Sequence, residues 1–511
     1  MSPGRVHALL LACVAVPAAI LAGCGGDDGG GSVDVGPAVA VPANTPIYVD
    51  ATVKPTGSAQ TNAKEALGKI LDTDDPGAKI ISLIEDSAKD DGHPINFQQD
   101  VSPWLGQKAA VFFTSLGEDS KGSVVVETTN PAASLAFAQK VSGDTATDPS
   151  PQTYNGATYQ IDKSESDQVF GIVGDFLVEG SLEGFKAAVD ADQGDSLGDD
   201  GDFKDSIGDL PDDRLGTFYA VPKTLIDAIG SQVDPTSKAA IEKSAGENLD
   251  KPVAGALTAT ANSFELEATG GSQGVETPES SLIGDVPGQS WLALGVGDLG
   301  DNIKNSINQL KDQIPNFDQA QQQIEQTTGA SLDQLTGALG DAVIYVQGET
   351  ESTLTGALIV QSKDPDLTGR LLNQLQGLLR LGGTIKPLNL SGGGTGFQMV
   401  DSSLPAPIEL AQQGDKLVIG YGSGSAEATL TPAETLSDSP TFTTAHDQIS
   451  SLGTDLFVSL QPIFALAESS GAKSDPDYQQ AKPYIDALNY VVTGSGSSGD
   501  KIDFKAVLGL K

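Results

Sequence analysis

Apolar positions along the chain follow two rhythms. Alternating or continuous runs rich in Val, Ile, Phe and Tyr, bounded by Gly, Asn, Asp or Pro, predict strands at 47–53, 109–114, 123–128, 158–161, 168–173, 176–180, 216–221, 253–260 and 263–269. Helical spacing predicts helices at 59–71, 78–88, 131–141, 182–189 and 222–229, with another near 238–243. Asn130-Pro131 and Ser181 supply N-terminal signals for two of them. Gly174-Asp175 and Ala261-Asn262 read as hairpin turns, and 190–202 as an acidic loop.

The pattern then starts again. Trp104-Leu105-Gly106, the run 109–113, Gly122 to Val126 and Asn130-Pro131 are answered by Ala338-Leu339-Gly340, 342–346, Gly356 to Val360 and Asp364-Pro365. Leu105 and Leu339 lie 234 positions apart (339 − 105), as do Gly122 and Gly356, and Pro131 and Pro365. Further echoes are Val286-Pro287 to Val41-Pro42, Phe397-Gln398-Met399 to Tyr159-Gln160-Ile161, and Phe442 to Phe203. Leu452-Gly453-Thr454 echoes Leu215-Gly216-Thr217, and Pro462 echoes Pro222. The expectation is an internal duplication. Short links between consecutive strands favour antiparallel pairing. The predicted class is therefore α+β, as two related repeats at 41–270 and 285–511, each a curved, mainly antiparallel sheet with helices on one face, joined by a linker at 271–284.

Composition narrows the function. A formal net charge of −40 opposes phosphate backbones, so no nucleic-acid partner is expected. The two cysteines, Cys13 and Cys24, leave the body of the chain without disulfide, thiol nucleophile or thiolate metal site.

The N-terminus reads as an address. Arg5 and His7 precede an apolar run, 8–21, too short to span a bilayer and of the right length for a secretory core. It ends in Leu21-Ala22-Gly23-Cys24, which resembles a bacterial lipobox. That resemblance implies a signal peptide at 1–23, cleavage before Cys24 and lipidation of its thiol. Residues 24–40 are then a flexible tether, and the protein is extracytoplasmic, held at the cell membrane by its lipid.

Candidate chemistry is sparse. Gly295-Val296-Gly297-Asp298-Leu299-Gly300 has dinucleotide-fingerprint spacing, but no acidic strand end follows for a ribose, and its counterpart 51–56 lacks the glycines. His93 and His446 make a poor zinc pair, and no Gly-x-Ser-x-Gly elbow accompanies them. The acidic residues Asp190, Asp192, Asp195, Asp199, Asp200 and Asp202 lack the order of a calcium loop and read as a solvated charge run. Trp104 and Trp291 read as core or domain-interface residues, with Trp104 alternatively at a cavity mouth. No catalytic residue, metal or cofactor is expected.

The lipobox, Val41-Pro42-Ala43-Asn44-Thr45 and Trp104-Leu105-Gly106 together resemble a family of uncharacterised bacterial lipoproteins that carry a domain of unknown function. The resemblance implies an envelope location and no established activity. The leading expectation is a non-enzymatic, lipid-anchored envelope protein whose two related domains bind a partner or ligand or have a structural role. One alternative is a carrier or sensor of a lipid or other apolar ligand between sheet and helices. A hydrolase with an unrecognised site is the other.

Overall fold

The computed structural model describes residues 34–117, 120–142, 151–162, 168–228, 238–239, 242, 246–271, 279–311, 314, 316–380, 384–401, 403–449, 452–499 and 501–511. The chain divides into two compact units, one reaching Gly274 and including Gly499–Ile502, the other holding the remainder. The class is α+β.

In the first unit β1 (Ile47–Thr52) leads through α1 (Gly57–Leu71) and α2 (Pro76–Asp90) to the long strands β2 (Leu105–Ser115) and β3 (Lys121–Thr128). Next comes α3 (Pro131–Val141), whose first turn is capped by the Asn130 side chain accepting from the Ala133 N–H at 3.2 Å. Four strands follow, β4 (Gln152–Tyr154), β5 (Ala157–Ile161), β6 (Gln168–Val173) and β7 (Phe176–Ser181). Then come α4 (Leu182–Asp192), α5 (Gly201–Gly208), β8 (Gly216–Ala220), α6 (Pro222–Ala228), β9 (Val253–Thr260) and β10 (Ser263–Gly271). All pairings are antiparallel, in the spatial order β10-β9-β8-β1-β2-β3-β7-β6-β5-β4.

Helices cover both faces of this sheet rather than one. Tyr48, Ala110, Phe112, Val125 and Val178 pack beneath α4 and α5 with Phe185 and Phe203. Ala109, Val124, Val126, Phe170 and Leu177 pack on the other side with Phe97, Trp104 and Phe137. Burial on both sides is why Val124-Val125-Val126 is a continuous apolar run instead of an alternation.

The second unit comprises β11 (Ser290–Val296), α7 (Leu299–Leu310), α8 (Phe317–Thr328), α9 (Leu332–Gly337), β12 (Leu339–Gln347), β13 (Thr355–Ser362) and α10 (Pro365–Leu379). It continues with β14 (Thr384–Pro387), β15 (Thr395–Val400), β16 (Ile408–Gln413), β17 (Lys416–Tyr421), α11 (Ser425–Leu430) and α12 (Pro440–Asp447). It ends with β18 (Gly453–Ser459), α13 (Leu460–Ser469), α14 (Pro476–Ile485), β19 (Leu488–Ser498) and β20 (Lys501–Leu510). Its antiparallel order is β20-β19-β18-β11-β12-β13-β17-β16-β15-β14.

Four boundaries differ from the sequence reading. Gly36–Ala40, expected in the tether, is a 3-10 helix with Ala38 and Ala40 fully buried; Pro37 presets its first turn and its small side chains fit the core. Part of the expected linker belongs to the second core: Leu282 and Ile283 are buried, and the Ser280 hydroxyl donates to the Ala342 carbonyl at 2.9 Å. The rest of that linker, 272–278, lies outside the described residues. The expected acidic loop is largely helical, because its Ser and Asp side chains act as caps: Ser196 accepts from the Asp199 N–H and Asp200 from the Phe203 N–H. Finally, Tyr159 and Phe397 do not correspond. Tyr159 pairs with Gly171 and packs on Phe185, whereas Phe397 pairs with Leu410 and packs on Leu372. A one-residue difference of register sends a side chain to the opposite face.

Candidate functional site

Leu21, Ala22, Gly23 and Cys24 lie outside the described residues. Among the described residues no helix is long and apolar enough to cross a membrane.

The glycine motif closes on itself. Asp298 stands in the left-handed region (φ 42°) before α7; its N–H donates to the Asp341 carboxylate at 3.1 Å, and its own carboxylate meets Lys363 Nζ at 2.8 Å. A Cβ on Gly300 would overlap the Thr336 carbonyl oxygen and stand 2.7 Å from that of Leu339. The glycine therefore lets α7 lie against α9, which accounts for it without a phosphate.

His446 on α12 stacks on Phe442, with ring centroids 5.8 Å apart, and its Nδ1 lies 2.9 Å from Thr454 Oγ1. Thr454 is fully buried, so this hydroxyl cannot meet a substrate. His93 follows α2, with its backbone N–H bonded to the Ala88 carbonyl. No group of three His, Cys, Asp or Glu suited to a metal occurs among the described residues. The acidic run does not converge: Asp190 accepts from the Tyr154 hydroxyl and Asn155 amide, Asp199 accepts from the Ser196 hydroxyl, and Asp200 caps α5.

Sequence reasoning missed three features. One is a buried polar cluster on β1, β2 and β8. The Tyr48 hydroxyl donates to Asp50 Oδ2 at 3.0 Å, and the Thr217 N–H donates to Asp50 Oδ1 at 3.1 Å. Burial pushes the Asp50 carboxyl above its ordinary range, against the pull of Lys108, the two hydrogen bonds and Arg214. Burial, with the Asp50 charge beside it, pushes the Tyr48 phenol well up. Lys108 is ion-paired to Asp34 at 2.7 Å, which links the leading segment to β2. Because the folded state holds the Asp50 proton to higher pH than the unfolded chain, this group's contribution to stability is full below the unfolded carboxylate value of about 3.9 and is lost as pH rises through the folded value. Asp50→Asn, which does not titrate, is therefore expected to gain stability relative to the parent as pH rises from 4 to 7. Urea unfolding at both pH values measures the gain, and parallel stability curves would contradict the assignment.

The second feature is a row of side chains across the second sheet. Leu294, Ile344, Leu358, Ile419, Leu410 and Phe397 stand in successive register on β11, β12, β13, β17, β16 and β15. Leu410 and Phe397 are covered by Leu372 of α10. The first four are not: Leu294, Ile344 and Ile419 are 40%, 44% and 41% exposed, on central strands. The matching row of the first unit, Val49-Val111-Val124-Glu179-Phe170, has Val124, Glu179 and Phe170 buried in the layer that holds Phe97, Val101 and Trp104.

The third is an open cleft of about 670 Å³ in the first unit, between β4–β6 and α4. Tyr159, Ile161, Val169 and Leu182 form its apolar lining, with Lys121, Lys186, Glu183 and Asp190 beside them. Both this volume and the lining suit a small-molecule site, which usually occupies about 300–1,000 Å³.

No curated protein matches the chain. A solved structure described as crystal form I of TP0453 is similar over 76% of this chain and 93% of its own, at 10% identity and a TM-score of 0.15, which supports no conclusion about this chain. The described family of unknown function DUF3352 matches residues 6–502, nearly the whole sequence, and the chain belongs to that family.

Proposed function

We propose that this is a lipid-anchored, non-enzymatic protein of the cell envelope, built from two copies of one α+β repeat. The observation that carries the anchor is Leu21-Ala22-Gly23-Cys24 directly after an apolar run of secretory length. Two acyl chains hold a protein firmly, since each buried CH₂ contributes about 0.8 kcal/mol. The duplication is supported by the shared strand order and by matching cross-links. Pro42 bridges Ser196 as Pro287 bridges Thr435, and the Leu197 N–H meets the Val41 carbonyl at 2.7 Å as the Leu436 N–H meets that of Val286 at 2.8 Å. A non-enzymatic role is supported by the engagement of His446 in ring stacking and of Asp298 in an ion pair with Lys363. Cys24→Ser is expected to move the protein from the membrane fraction to the soluble fraction and to remove the acyl mass from its N-terminal peptide. An N-terminal peptide of unchanged mass in the variant would overturn the anchor.

A second reading is favoured by the uncovered row on β11, β12, β13 and β17: the second unit carries an apolar ligand on that face. Contiguous exposed aliphatic surface on central strands is costly to leave in water and marks binding sites.

A further inference from the structure

We propose that the cleft of the first unit binds a carboxylate on an apolar chain, beside the position at which the second unit buries a carboxylate of its own. Strand register supplies the correspondence. Val169 on β6 pairs with Gly180, which pairs with Ser123; Glu409 on β16 pairs with Gly420, which pairs with Ala357. The neighbours Ile161 and Gln398 correspond in the same way, each paired to that position. A Cβ at either glycine would collide with a neighbour, the Gly122 carbonyl oxygen and Ser123 at Gly180 and Ser425 at Gly420.

At this position the second unit buries a carboxylate. Glu409 is 2% exposed and accepts from the Gly424 N–H at 2.9 Å, the Ala426 N–H at 3.0 Å, the Ser425 hydroxyl at 3.4 Å and the Gln398 amide at 3.2 Å. The first unit has Val169 and Ile161 instead, and the space beside them opens as the cleft. Two half-buried cations line it. Lys186 lies over the Tyr154 ring at 5.1 Å, and Lys121 has no ion-pair partner among the described residues. Two carboxylates share the lining, Asp190, which accepts from Tyr154 and Asn155, and Glu183, exposed at the first turn of α4, and neither forms an ion pair with the lysines. In a chain of net charge −40, an apolar lining beside two lysines that form no ion pair among the described residues selects an amphiphile with an anionic head. The lining takes the alkyl chain and the lysines take the carboxylate.

This proposal stands on the cleft and needs neither the lipid anchor nor the uncovered row of the second unit. The test uses the full chain carrying Cys24→Ser, titrated with 11-(dansylamino)undecanoate and with its methyl ester. Saturable binding of the acid is expected, with the ester at least about tenfold weaker. Lys121→Met with Lys186→Met should weaken the acid by at least about tenfold and leave the ester unchanged. Val169→Glu, which supplies an internal carboxylate where the second unit has one, should abolish acid binding. The lysine variants alter half-buried surface positions and so serve as the check if Val169→Glu fails to fold. Equal affinity for acid and ester, or full binding by the lysine variants, would overturn the proposal while leaving an apolar carrier intact. No saturable binding of either probe would overturn both.

Discussion

Trp104→Ala is expected to destabilise the first unit by about 3–5 kcal/mol, the range for losing a buried tryptophan from a core. Trp104 is 1% exposed, its ring centroid lies 5.4 Å from that of Phe137, and its Nε1 donates to the Asp100 carbonyl at 2.7 Å. Truncation opens a cavity and leaves a carbonyl without its donor, and both losses add. Trp291→Ala is the control. Trp291 is half-buried, donates to the Gly348 carbonyl at 2.9 Å and lines a surface pocket with Gln347 and Pro462. Its loss is expected to cost less than about 1.5 kcal/mol. Urea unfolding of the two variants separates these values, and equal losses would show that Trp104 is not the wedge this packing makes it.

The same residue explains how the two units differ. Trp104-Leu105-Gly106 is answered by Ala338-Leu339-Gly340, and the backbones correspond: the Thr129 N–H meets the Trp104 carbonyl and the Lys363 N–H meets that of Ala338, both at 2.8 Å. In the first unit the indole joins Phe97 and Val101 in the layer that buries Val124. In the second, Ala338 is buried among Ala330, Leu335 and Leu367 and is too short to reach a sheet face. The open row accompanies this large-to-small difference and the presence of α9 in place of the segment that carries Phe97.

Much of this architecture is legible in the sequence because periodicity is strong where one strand meets one turn. The hairpin of β6 and β7 over Gly174 (φ 53°) and the capped helix after Asn130 both follow from local signals. Three kinds of feature were not legible. Strands of three or four residues, such as β4 and β14, are too short to establish a period. Coverage of both sheet faces is a property of distant segments, and the run at 124–126 hints at it only weakly. Burial on β1 also runs against hydropathy: Val49 is 39% exposed while Asp50 is 7% exposed. The partners that make this tolerable, Thr217 and Lys108, are far along the chain, so no window around Asp50 announces it. The cleft and the open row share that property, since each is made by register between strands rather than by neighbours in sequence.

The open row gives the second large expected effect. The neutral probe diphenylhexatriene is expected to bind the second unit saturably, and Ile344→Gln with Ile419→Gln should weaken it at least about tenfold. Full burial of an Ile side chain contributes about 1.5–3 kcal/mol, so replacing two that are already partly buried removes at least the 1.4 kcal/mol that tenfold requires. Stability should change little, because both positions are more than 40% exposed and their loss creates no cavity. This combination separates a binding face from a structural one. Side chains that serve packing would lose stability on substitution, as Trp104→Ala does, whereas side chains that serve a ligand lose affinity at nearly constant stability. A double variant that unfolds several kcal/mol more easily, or binds the probe as the parent does, would remove the ligand-bearing role from this face.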